Sequence, residues 1–338
     1  MIISRTPFRI SLFGGGTDYP DWIRQHGGVV VGMSINKYCY ISVRTLPPFF
    51  EHKHRIVYSK IELVREIDDI LHPAVRSVLA EYPPNEGLEI HHDADLPARS
   101  GLGSSSSFTV GLLKAITAKH GNVLSKEELS REAMRIEQEV IHEHVGCQDQ
   151  VWAAYGGLNR IDFEKDGRFK VSPIELPAGR VGDLRDSMLL FFTGISRYAS
   201  DIAKEQIENM DSHQLQLKSI REIAEEAFVR LQDPKETILS LGELLNDSWK
   251  MKRELAQLVS TPEINEIYEA GMEAGAVGGK LLGAGGGGFI LFMVPPPLRE
   301  KVRERLSRLV HVSFDIAYKG SKIMHNEYEK TQAHIGKE

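Results

Sequence analysis

The segment LPARSGLGSSSS, residues 96–107, carries the residue types best suited to holding an anion. An apolar stretch with helical spacing, FTVGLLKAITAKHG, follows it directly. The first amides of a helix have no internal partner, and together with the helix dipole they attract negative charge. Gly101 and Gly103 permit a tight backbone turn, and the serine hydroxyls add donors. The segment therefore predicts a phosphate cradle at a helix N-terminus.

Other interpretations of glycine-rich segments fit this chain less well. A Walker loop needs a lysine after its last glycine, and none follows Gly103. A Gly/Ser linker is usually longer and lacks ordered flanks, whereas a strand pattern precedes and a helix pattern follows this segment. The cluster Gly283–Gly288 matches the dinucleotide fingerprint by letter, but it leads into the strand FILFMV and not into a helix.

Strand and helix patterns surround the cradle in the first half of the chain. The segments MIISRTPFRISLF, GVVVGMSINKYCYISVRTL and GLEIHHDADL predict strands. SKIELVREIDDILH and HPAVRSVLAEY predict helices. SKEELSREAMRIEQEVIHEHVG predicts one long helix that begins with a capping box at Ser125 and Glu128 and stops at Gly146.

The second half of the chain is richer in helix patterns. IDFEKDGRFKVSPIEL predicts a hairpin, PAGRVGDLRDS a turn and linker, and MLLFFTG a buried strand. Charged helices are predicted across residues 200–260. After FILFMV, LREKVRERLSRLV predicts an amphipathic helix and VSFDIAY a last strand. The chain is therefore predicted to be a mixed α and β protein.

Composition bounds the class of protein. A length of 338 residues suggests two domains or one large one. The net charge of −6 argues against a nucleic-acid partner bound by broad phosphate neutralisation. Cys39 and Cys147 offer neither a disulfide framework nor a metal knuckle, which favours a reducing cytoplasm. The start lacks a signal-peptide pattern, and FILFMV is too short to span a bilayer, so a soluble cytoplasmic protein with no membrane partner is expected.

Three segments, in order, resemble motifs of the GHMP kinase family, which includes galactokinase, homoserine kinase, mevalonate kinase and phosphomevalonate kinase. TPFRISLFGGGTDYP resembles the opening motif, LPARSGLGSSSS the phosphate loop P-x-x-x-G-L-G-S-S-[AS], and KLLGAGGGGFILFM the C-terminal glycine motif. The resemblance implies a two-domain α+β fold with the active site between the domains. It implies an N-terminal ATP-binding domain over residues 1–180 with a left-handed β-α-β unit, and a ferredoxin-like α/β domain over residues 186–330.

Within this family, SLFGGGTDYP and GCQDQ with AAYGGLNRIDF resemble the D-glycero-D-manno-heptose 7-phosphate kinases. The resemblance implies ATP-dependent phosphorylation of the anomeric hydroxyl of that sugar phosphate to the 1,7-bisphosphate, with Mg²⁺, for nucleotide-activated heptose and surface polysaccharide. One alternative is another kinase of the family, acting on fucose, galactose or a mevalonate-type alcohol. A non-catalytic, kinase-like sugar sensor is the alternative outside enzymes. The oligomeric state stays open.

The resemblance assigns catalytic roles to Asp149 and Arg9. Asp149 in VGCQDQ matches an aspartate that faces the acceptor hydroxyl, where a carboxylate can orient the hydroxyl and accept its proton. Its alternative is a loop aspartate that caps the next helix. Arg9 in PFRISLF matches a basic residue that keeps the aspartate ionised and offsets developing charge. Its alternative is a surface cation beside a strand.

The resemblance also assigns the nucleotide and metal site. Ser104 and Glu137 match the Mg²⁺ ligands, and a hydroxyl oxygen suits a hard cation. Glu139 and Glu143 are alternatives to Glu137. The residues expected to bind the ATP phosphates are Gly101, Leu102, Gly103, Ser104, Ser105, Ser106 and Ser107.

The acceptor site is expected around Asp18 in GGGTDYP, which matches an aspartate that accepts hydrogen bonds from sugar hydroxyls. Gly15 and Gly16 stand where galactokinase has a Glu-His pair, so galactose recognition of that kind is not expected and a larger sugar has room. Gly285 and Gly286 are expected to let the backbone approach the ligand closely. The candidate cations for a distal phosphate are Arg197, Lys204 and Arg99.

Overall fold

Two β-sheets and the helices that cover them make up the fold of this computed structural model, which describes residues 1–177, 179–195 and 199–327. The strands are β1 (Ile2–Phe13), β2 (Gly28–Thr45), β3 (His54–Val57), β4 (Ile61–Val64), β5 (Leu88–Ala94), β6 (Leu158–Phe163), β7 (Phe169–Pro173), β8 (Met188–Phe192), β9 (Gly278–Leu281), β10 (Phe289–Met293), β11 (Val310–His311) and β12 (Lys322–Asn326). The helices are α1 (Pro20–His26), α2 (Pro73–Glu81), α3 (Ser104–Lys119), α4 (Lys126–Arg135), α5 (Gln148–Tyr155), α6 (Arg180–Asp186), α7 (Ala199–Glu208), α8 (Gln214–Gln232), α9 (Ser240–Glu254), α10 (Pro262–Glu273) and α11 (Arg299–Arg305).

The larger sheet is built on the long antiparallel pair β1 and β2. Its order in the described residues is β12-β1-β2-β5-β3-β4, and β6 and β7 extend it from β2. Helix α3 packs on β1 and β2 at close range. A Cβ at Gly111 would lie only 2.8 Å from Thr6 Oγ1, so glycine at this position permits the close approach. The phosphate-loop helix is thereby fixed directly on the central strands.

The smaller sheet has the order β11-β8-β10-β9, with every pairing antiparallel. Counted along the chain, its four strands lie in the order fourth, first, third, second. That order, with helices between the first and second strands and between the third and fourth, is the ferredoxin-like arrangement implied by the family resemblance. Strand β12 then returns to pair with β1. Sheet pairing therefore groups β12 with the first half of the fold, although it lies within the predicted second domain, residues 186–330.

The prediction of a helix over SKIELVREIDDILH is wrong. The segment forms β4 and a short 3₁₀ turn at Ile67–Asp69. The buried carboxylate of Glu62 on β4 accepts hydrogen bonds from the Tyr58 hydroxyl at 2.9 Å and the His72 amide at 3.0 Å. It thereby anchors the start of α2, a tertiary role that residue spacing does not reveal.

The prediction of a linker over PAGRVGDLRDS is also wrong, because most of this segment forms α6. The buried guanidinium of Arg180 donates from Nε to the Leu231 carbonyl at 2.7 Å, from Nη2 to the Arg230 carbonyl at 2.7 Å and from Nη1 to the Glu236 carbonyl at 2.6 Å. These carbonyls lie at and just beyond the C-terminal end of α8, where helix carbonyls lack internal partners. The segment therefore caps a helix of the second half.

Two further elements differ from the sequence prediction. The long helix predicted up to Gly146 ends at Arg135 and continues only as a π-helical turn, Ile136–Val140. The capping box at its start is present, with both Ser125–Glu128 hydrogen bonds formed. VSFDIAY forms an isolated bridge between Ile35 and Ile316 and no strand, and β12 is the last strand described.

Replacing Arg180 with alanine is expected to lower the free energy of unfolding by about 3 kcal/mol, because helix carbonyls lose charge-assisted donors. Urea unfolding followed by circular dichroism measures the change. Arg185→Ala is the matched control on the same helix, since Arg185 pairs with Asp186 at the surface, where an ion pair contributes little. Equal unfolding midpoints for the two variants would contradict the capping role.

Candidate active site

A cleft of about 290 Å³ lies between the two halves of the fold. It is lined by residues of the larger-sheet half and by residues that follow the smaller sheet and its helices. The residues predicted from the sequence that line it are Arg9, Gly15, Gly16, Asp18, Arg99, Gly101, Gly103, Ser104, Ser105, Ser106 and Asp149. Residues of the opening motif and of the phosphate loop therefore meet in this cleft.

Arg9 and Asp149 form a bidentate ion pair at the base of the cleft. Arg9 Nε donates to Asp149 Oδ1 at 2.7 Å, and Nη2 donates to Oδ2 at 2.8 Å. The third nitrogen, Nη1, donates to the Gly101 carbonyl at 2.5 Å. Arg9 is 5% exposed, whereas the Asp149 side chain is 24% exposed and borders the cleft. The guanidinium thus fixes the plane of the carboxylate and the phosphate loop together.

The phosphate loop takes a backbone path that needs glycine. Gly101 has φ +81° and Gly103 has φ +75°, both in the left-handed region. A Cβ on Gly103 would lie 3.2 Å from Arg9 Cγ and 3.3 Å from Asp149 Oδ2. Helix α3 begins at Ser104, as the sequence predicts. Its free amides therefore open beside the ion pair.

Two residues predicted to bind phosphate do not line the cleft. Leu102 is fully buried, and its carbonyl accepts a hydrogen bond from the Arg9 amide at 3.1 Å. Ser107 is buried on the opposite side of the helix start, where its hydroxyl donates to the Pro7 carbonyl at 2.9 Å. The Leu102 carbonyl and the Ser107 side chain thus fasten the loop to β1.

Glu137 lies behind the serines and not at the cleft surface. It is 1% exposed, and its Oε2 accepts hydrogen bonds from the Ser106 hydroxyl at 2.8 Å and from Gln150 Nε2. Its Oε1 makes no hydrogen bond. Burial raises the pKa of Glu137 to about 7. Ser106, which does line the cleft, is therefore the serine that connects to this carboxyl group.

The other predicted metal ligand, Ser104, is engaged differently. Its hydroxyl oxygen accepts a hydrogen bond from the Arg99 amide at 3.1 Å. Of the two alternatives to Glu137, Glu143 lines the cleft, and burial raises the pKa of its carboxyl group. The described part of the chain holds no group of three or more His, Cys, Asp or Glu side chains placed to bind a metal ion.

The π-helical turn explains the inward position of Glu137. The Ile141 amide donates to the Ile136 carbonyl at 2.9 Å, five residues back, and the Glu143 amide donates to the Glu137 carbonyl at 2.8 Å. His142 then adopts φ +61°, which ends the helix. Such turns are frequently found at functional sites. The sequence gives no sign of it, because helical spacing continues through the turn.

Asp18 is held on the other side of the cleft by backbone amides. Its Oδ1 accepts from the Gly16 amide at 3.0 Å and its Oδ2 from the Gln148 amide at 3.3 Å. Burial, followed by the charge of Asp149, raises the pKa of this carboxyl group. A Cβ on Gly146 would lie 2.0 Å from Asp18 Oδ2. Gly146 therefore makes room for the carboxylate and does not cap a helix.

The glycine cluster meets the phosphate loop at its first member. A Cβ on Gly283 would lie 2.5 Å from Gly101 Cα, and Gly283 and Ala284 line the cleft. Gly285 and Gly286, which were the residues expected there, do not line it. A Cβ on Gly285 would lie 2.7 Å from Val259 Cα, and the Gly286 amide donates to the Val259 carbonyl at 3.0 Å. At these two positions the glycines allow the backbone of Val259 to approach closely.

Two buried lysines and a glutamine at the cleft were not predicted from the sequence. Lys280 Nζ donates to the Leu12 carbonyl at 2.9 Å, and Lys252 Nζ donates to the Gly283 carbonyl. Gln206 donates from Nε2 to the Ala284 carbonyl at 2.8 Å. All three line the cleft. Lys280 heads the C-terminal glycine motif, which was a usable signal, whereas Lys252 lies in the charged run SWKMKREL and resembles a solvated lysine.

The candidate cations for a distal phosphate have different positions. Arg99 lines the cleft. Lys204 does not line it: its side chain is 55% exposed and pairs with Glu208 along α7. Arg197 lies outside the described residues. Of the three, the structure brings Arg99 to the cleft.

Comparison with known proteins identifies the class of this fold and site. The profile of the GHMP kinases N terminal domain matches residues 69–157, and that of the GHMP kinases C terminal domain matches residues 217–311. The chain is 30% identical over 238 residues to mevalonate kinase of Pyrococcus abyssi, covering 70% of this chain and 68% of the relative. The chain belongs to the GHMP kinase family and has its two-domain α+β fold.

Among its relatives is the D-glycero-alpha-D-manno-heptose 7-phosphate kinase of Campylobacter jejuni, 28% identical over 306 residues that cover 87% of this chain and 90% of the relative. The crystal structure of a D-glycero-D-manno-heptose 1-phosphate kinase from Bacteroides thetaiotaomicron superposes with a TM-score of 0.78 at 24% identity, covering 96% of this chain and 99% of that one. The chain is an ATP-dependent phosphotransferase with an alcohol group as acceptor. No helix among the described residues is long and apolar enough to cross a membrane.

Replacing Gly146 with alanine is expected to lower kcat/KM for the acceptor about 10-fold or more, because the new methyl group displaces the Asp18 carboxylate. The Kd for ATP is expected to change little, since the start of α3 is not touched. Steady-state kinetics and nucleotide titration measure the two quantities. Gly182→Ala is the control, because a Cβ there meets no atom within 4 Å. An unchanged acceptor kcat/KM would show that the Asp18 position does not matter.

Proposed function

We propose that this enzyme is a sugar kinase that phosphorylates the anomeric hydroxyl of D-glycero-D-manno-heptose 7-phosphate and gives the 1,7-bisphosphate. The observation that carries this proposal is the similarity to the Campylobacter jejuni heptose 7-phosphate kinase over 87% of this chain and 90% of that protein. The product would supply nucleotide-activated heptose for surface polysaccharide. Buried, free thiols at Cys39 and Cys147 suit the reducing cytoplasm in which we place the reaction.

The acceptor side of the cleft supports a polyhydroxyl substrate. Asp18 offers a buried carboxylate to sugar hydroxyls, and backbone amides hold it in place. Gly15 and Gly16 border the same space without side chains. Arg99 also lines the cleft, and we assign it to the distal phosphate. A site built from such polar groups discriminates by leaving them unpaired with a wrong substrate.

Asp149 is the group that we assign to the acceptor hydroxyl. Its carboxylate lies beside the cradle, held by Arg9, so a hydroxyl bound to it faces the ATP phosphates. It orients the hydroxyl and takes its proton as the new bond to phosphorus forms. The amides at the start of α3 and the hydroxyls of Ser104, Ser105 and Ser106 bind the ATP phosphates.

Magnesium fits the residues behind the cradle. The unpartnered Oε1 of Glu137 and the serine hydroxyls are hard oxygen donors of the kind that Mg²⁺ prefers. Glu137, with a hydroxyl of Ser104 or Ser106, would hold the ion. When bound, the ion would neutralise charge on the ATP phosphates.

The substrate is tested by measuring ADP release with heptose 7-phosphate, mannose, fucose, galactose and mevalonate. We expect kcat/KM for heptose 7-phosphate to exceed the others by about 100-fold or more. Phosphorus NMR of the product is expected to show a new anomeric phosphate. Chelation with EDTA is expected to stop turnover, and added Mg²⁺ to restore it. A preference for mevalonate or fucose would overturn the substrate assignment.

Asp149→Asn is expected to lower kcat by about 10²–10⁴-fold, because the amide cannot accept the proton and can accept only one of the two Arg9 hydrogen bonds. The Kd for ATP is expected to stay within a few-fold of the wild type. Single-turnover kinetics and nucleotide titration separate the two. Asp166→Asn, in the exposed β6–β7 hairpin, is the control. More than a tenth of the wild-type kcat in Asp149→Asn would be incompatible with the assigned role.

A further inference from the structure

Arg9 binds mainly to protein groups, so another cation at the cleft is a candidate to contact the transferred phosphoryl group. In phosphoryl transfer, negative charge spreads over the oxygens of the transferred group, and cationic donors aimed at them lower the barrier. Arg9 uses three of its five N–H donors on protein groups, two on Asp149 and one on the Gly101 carbonyl. Arg9 therefore positions the carboxylate and the loop. A second cation at the cleft would add donors for the phosphoryl oxygens beside the helix amides and the serine hydroxyls.

Lys252 and Lys280 are the buried ammonium groups at this cleft in the described residues. Lys252 is 7% exposed and Lys280 is 3% exposed. Each Nζ has a backbone carbonyl as its hydrogen-bond acceptor, Gly283 for Lys252 and Leu12 for Lys280. An ammonium has three donors, so each lysine retains donors for a ligand. Burial of a cation without a bound carboxylate is costly, which makes an anionic ligand a natural partner.

The position of Lys252 distinguishes it from Lys280. Its acceptor, Gly283, abuts Gly101 of the phosphate loop. The charges of Asp18 and Asp149 both act on Lys252, and so does the charge of Arg9. The ammonium thus lies among the cradle, the acceptor carboxylate and the proton-accepting carboxylate. Lys280 instead donates to a β1 carbonyl and ties the two sheets together.

We propose that Lys252 is a catalytic residue that donates hydrogen bonds to the oxygens of the phosphoryl group while it passes from ATP to the acceptor. The bond from the acceptor oxygen to the γ-phosphorus forms, and the bond from that phosphorus to the β,γ-bridging oxygen breaks. The acceptor proton goes to Asp149, and ADP leaves with the bridging oxygen. Lys252 keeps its protons throughout. The inference rests on the proposed function for the identity of the acceptor and for the uptake of its proton by Asp149.

Burial makes this donor stronger than a surface lysine. The cleft excludes most water from Lys252, so its interaction with a phosphoryl oxygen is weakly screened. Burial also lowers the pKa of Lys252 to about 8, with the charge of Arg9 as a second cause. The approach of an anion favours the charged form and opposes both effects. The ammonium of Lys252 is therefore stabilised most when negative charge is near.

Lys252→Met tests the role, with Lys250→Met as the matched control. Lys250 lies two residues away on α9, is exposed and pairs with Asp247. We expect Lys252→Met to lower kcat by about 10²–10³-fold, the loss typical of a removed transition-state donor. The acceptor KM and the Kd for ATP are expected to change by only a few-fold. Lys250→Met is expected to match the wild type.

Two further variants keep the test decisive if methionine disturbs the fold. Lys252→Arg retains the charge and is expected to keep more activity than Lys252→Met. Lys252→Ala leaves a cavity, and added ethylammonium is expected to raise its kcat about 10-fold or more, which a merely structural role would not allow. A kcat within about 10-fold of the wild type in Lys252→Met, or no rescue of Lys252→Ala by the amine, overturns the proposal.

The acceptor panel separates this inference from the proposed function. The variants are assayed with every alcohol that the wild type phosphorylates, including the heptose with and without its 7-phosphate. An equal loss of kcat on both sugars is expected. A loss confined to KM for the phosphorylated sugar would assign Lys252 to the distal phosphate and overturn the catalytic role. If the wild type rejects the heptose phosphate, the proposed function fails, and Lys252 is still tested on the true acceptor.

Discussion

The ion pair between Arg9 and Asp149 is the interaction on which the arrangement of the site depends. It joins the central strand β1 to the first turn of α5, which lies 140 residues further along the chain. The same guanidinium and the Arg9 amide bind the carbonyls of Gly101 and Leu102. One residue on a rigid strand therefore sets the distance between the carboxylate and the phosphate cradle. Such precision needs a bidentate planar donor, which lysine cannot supply.

The second half of the chain reaches this assembly through backbone contacts. The Phe289 amide at the start of β10 donates to the Ser100 carbonyl at 3.0 Å, so the ladder of the smaller sheet continues onto the phosphate loop. Gly283 lies against Gly101, and a side chain at either position would separate the two halves. The Lys252 ammonium donates to the Gly283 carbonyl, so this main-chain contact places the ammonium beside the loop. The C-terminal glycine motif thus brings the two halves together at the cleft through main-chain contacts.

How far the sequence alone leads depends on whether a residue acts locally. The start of α3 at Ser104 and the capping box at Ser125 follow from local chemistry, and both were predictable. The meeting of Arg9, Asp18 and Asp149 was predictable only through the family resemblance, because tertiary structure brings them together. The buried position of Glu137 was not, since a π-helical turn replaces a helix whose spacing looks continuous. Arg180 and Glu62 escaped prediction because charged residues are seldom buried.

Composition hides the local electrostatics of the cleft. The chain carries a net charge of −6, yet the cleft brings three buried cationic side chains, Arg9, Lys252 and Lys280, together with Arg99, against the carboxyl groups of Asp18, Asp149 and Glu143. Arg9 compensates Asp149 directly, and burial raises the pKa of Asp18. The remaining positive charge is buried, where it is poorly screened. Buried positive charge is costly to keep without a ligand, and the entry of phosphate groups into the cleft would reduce that cost.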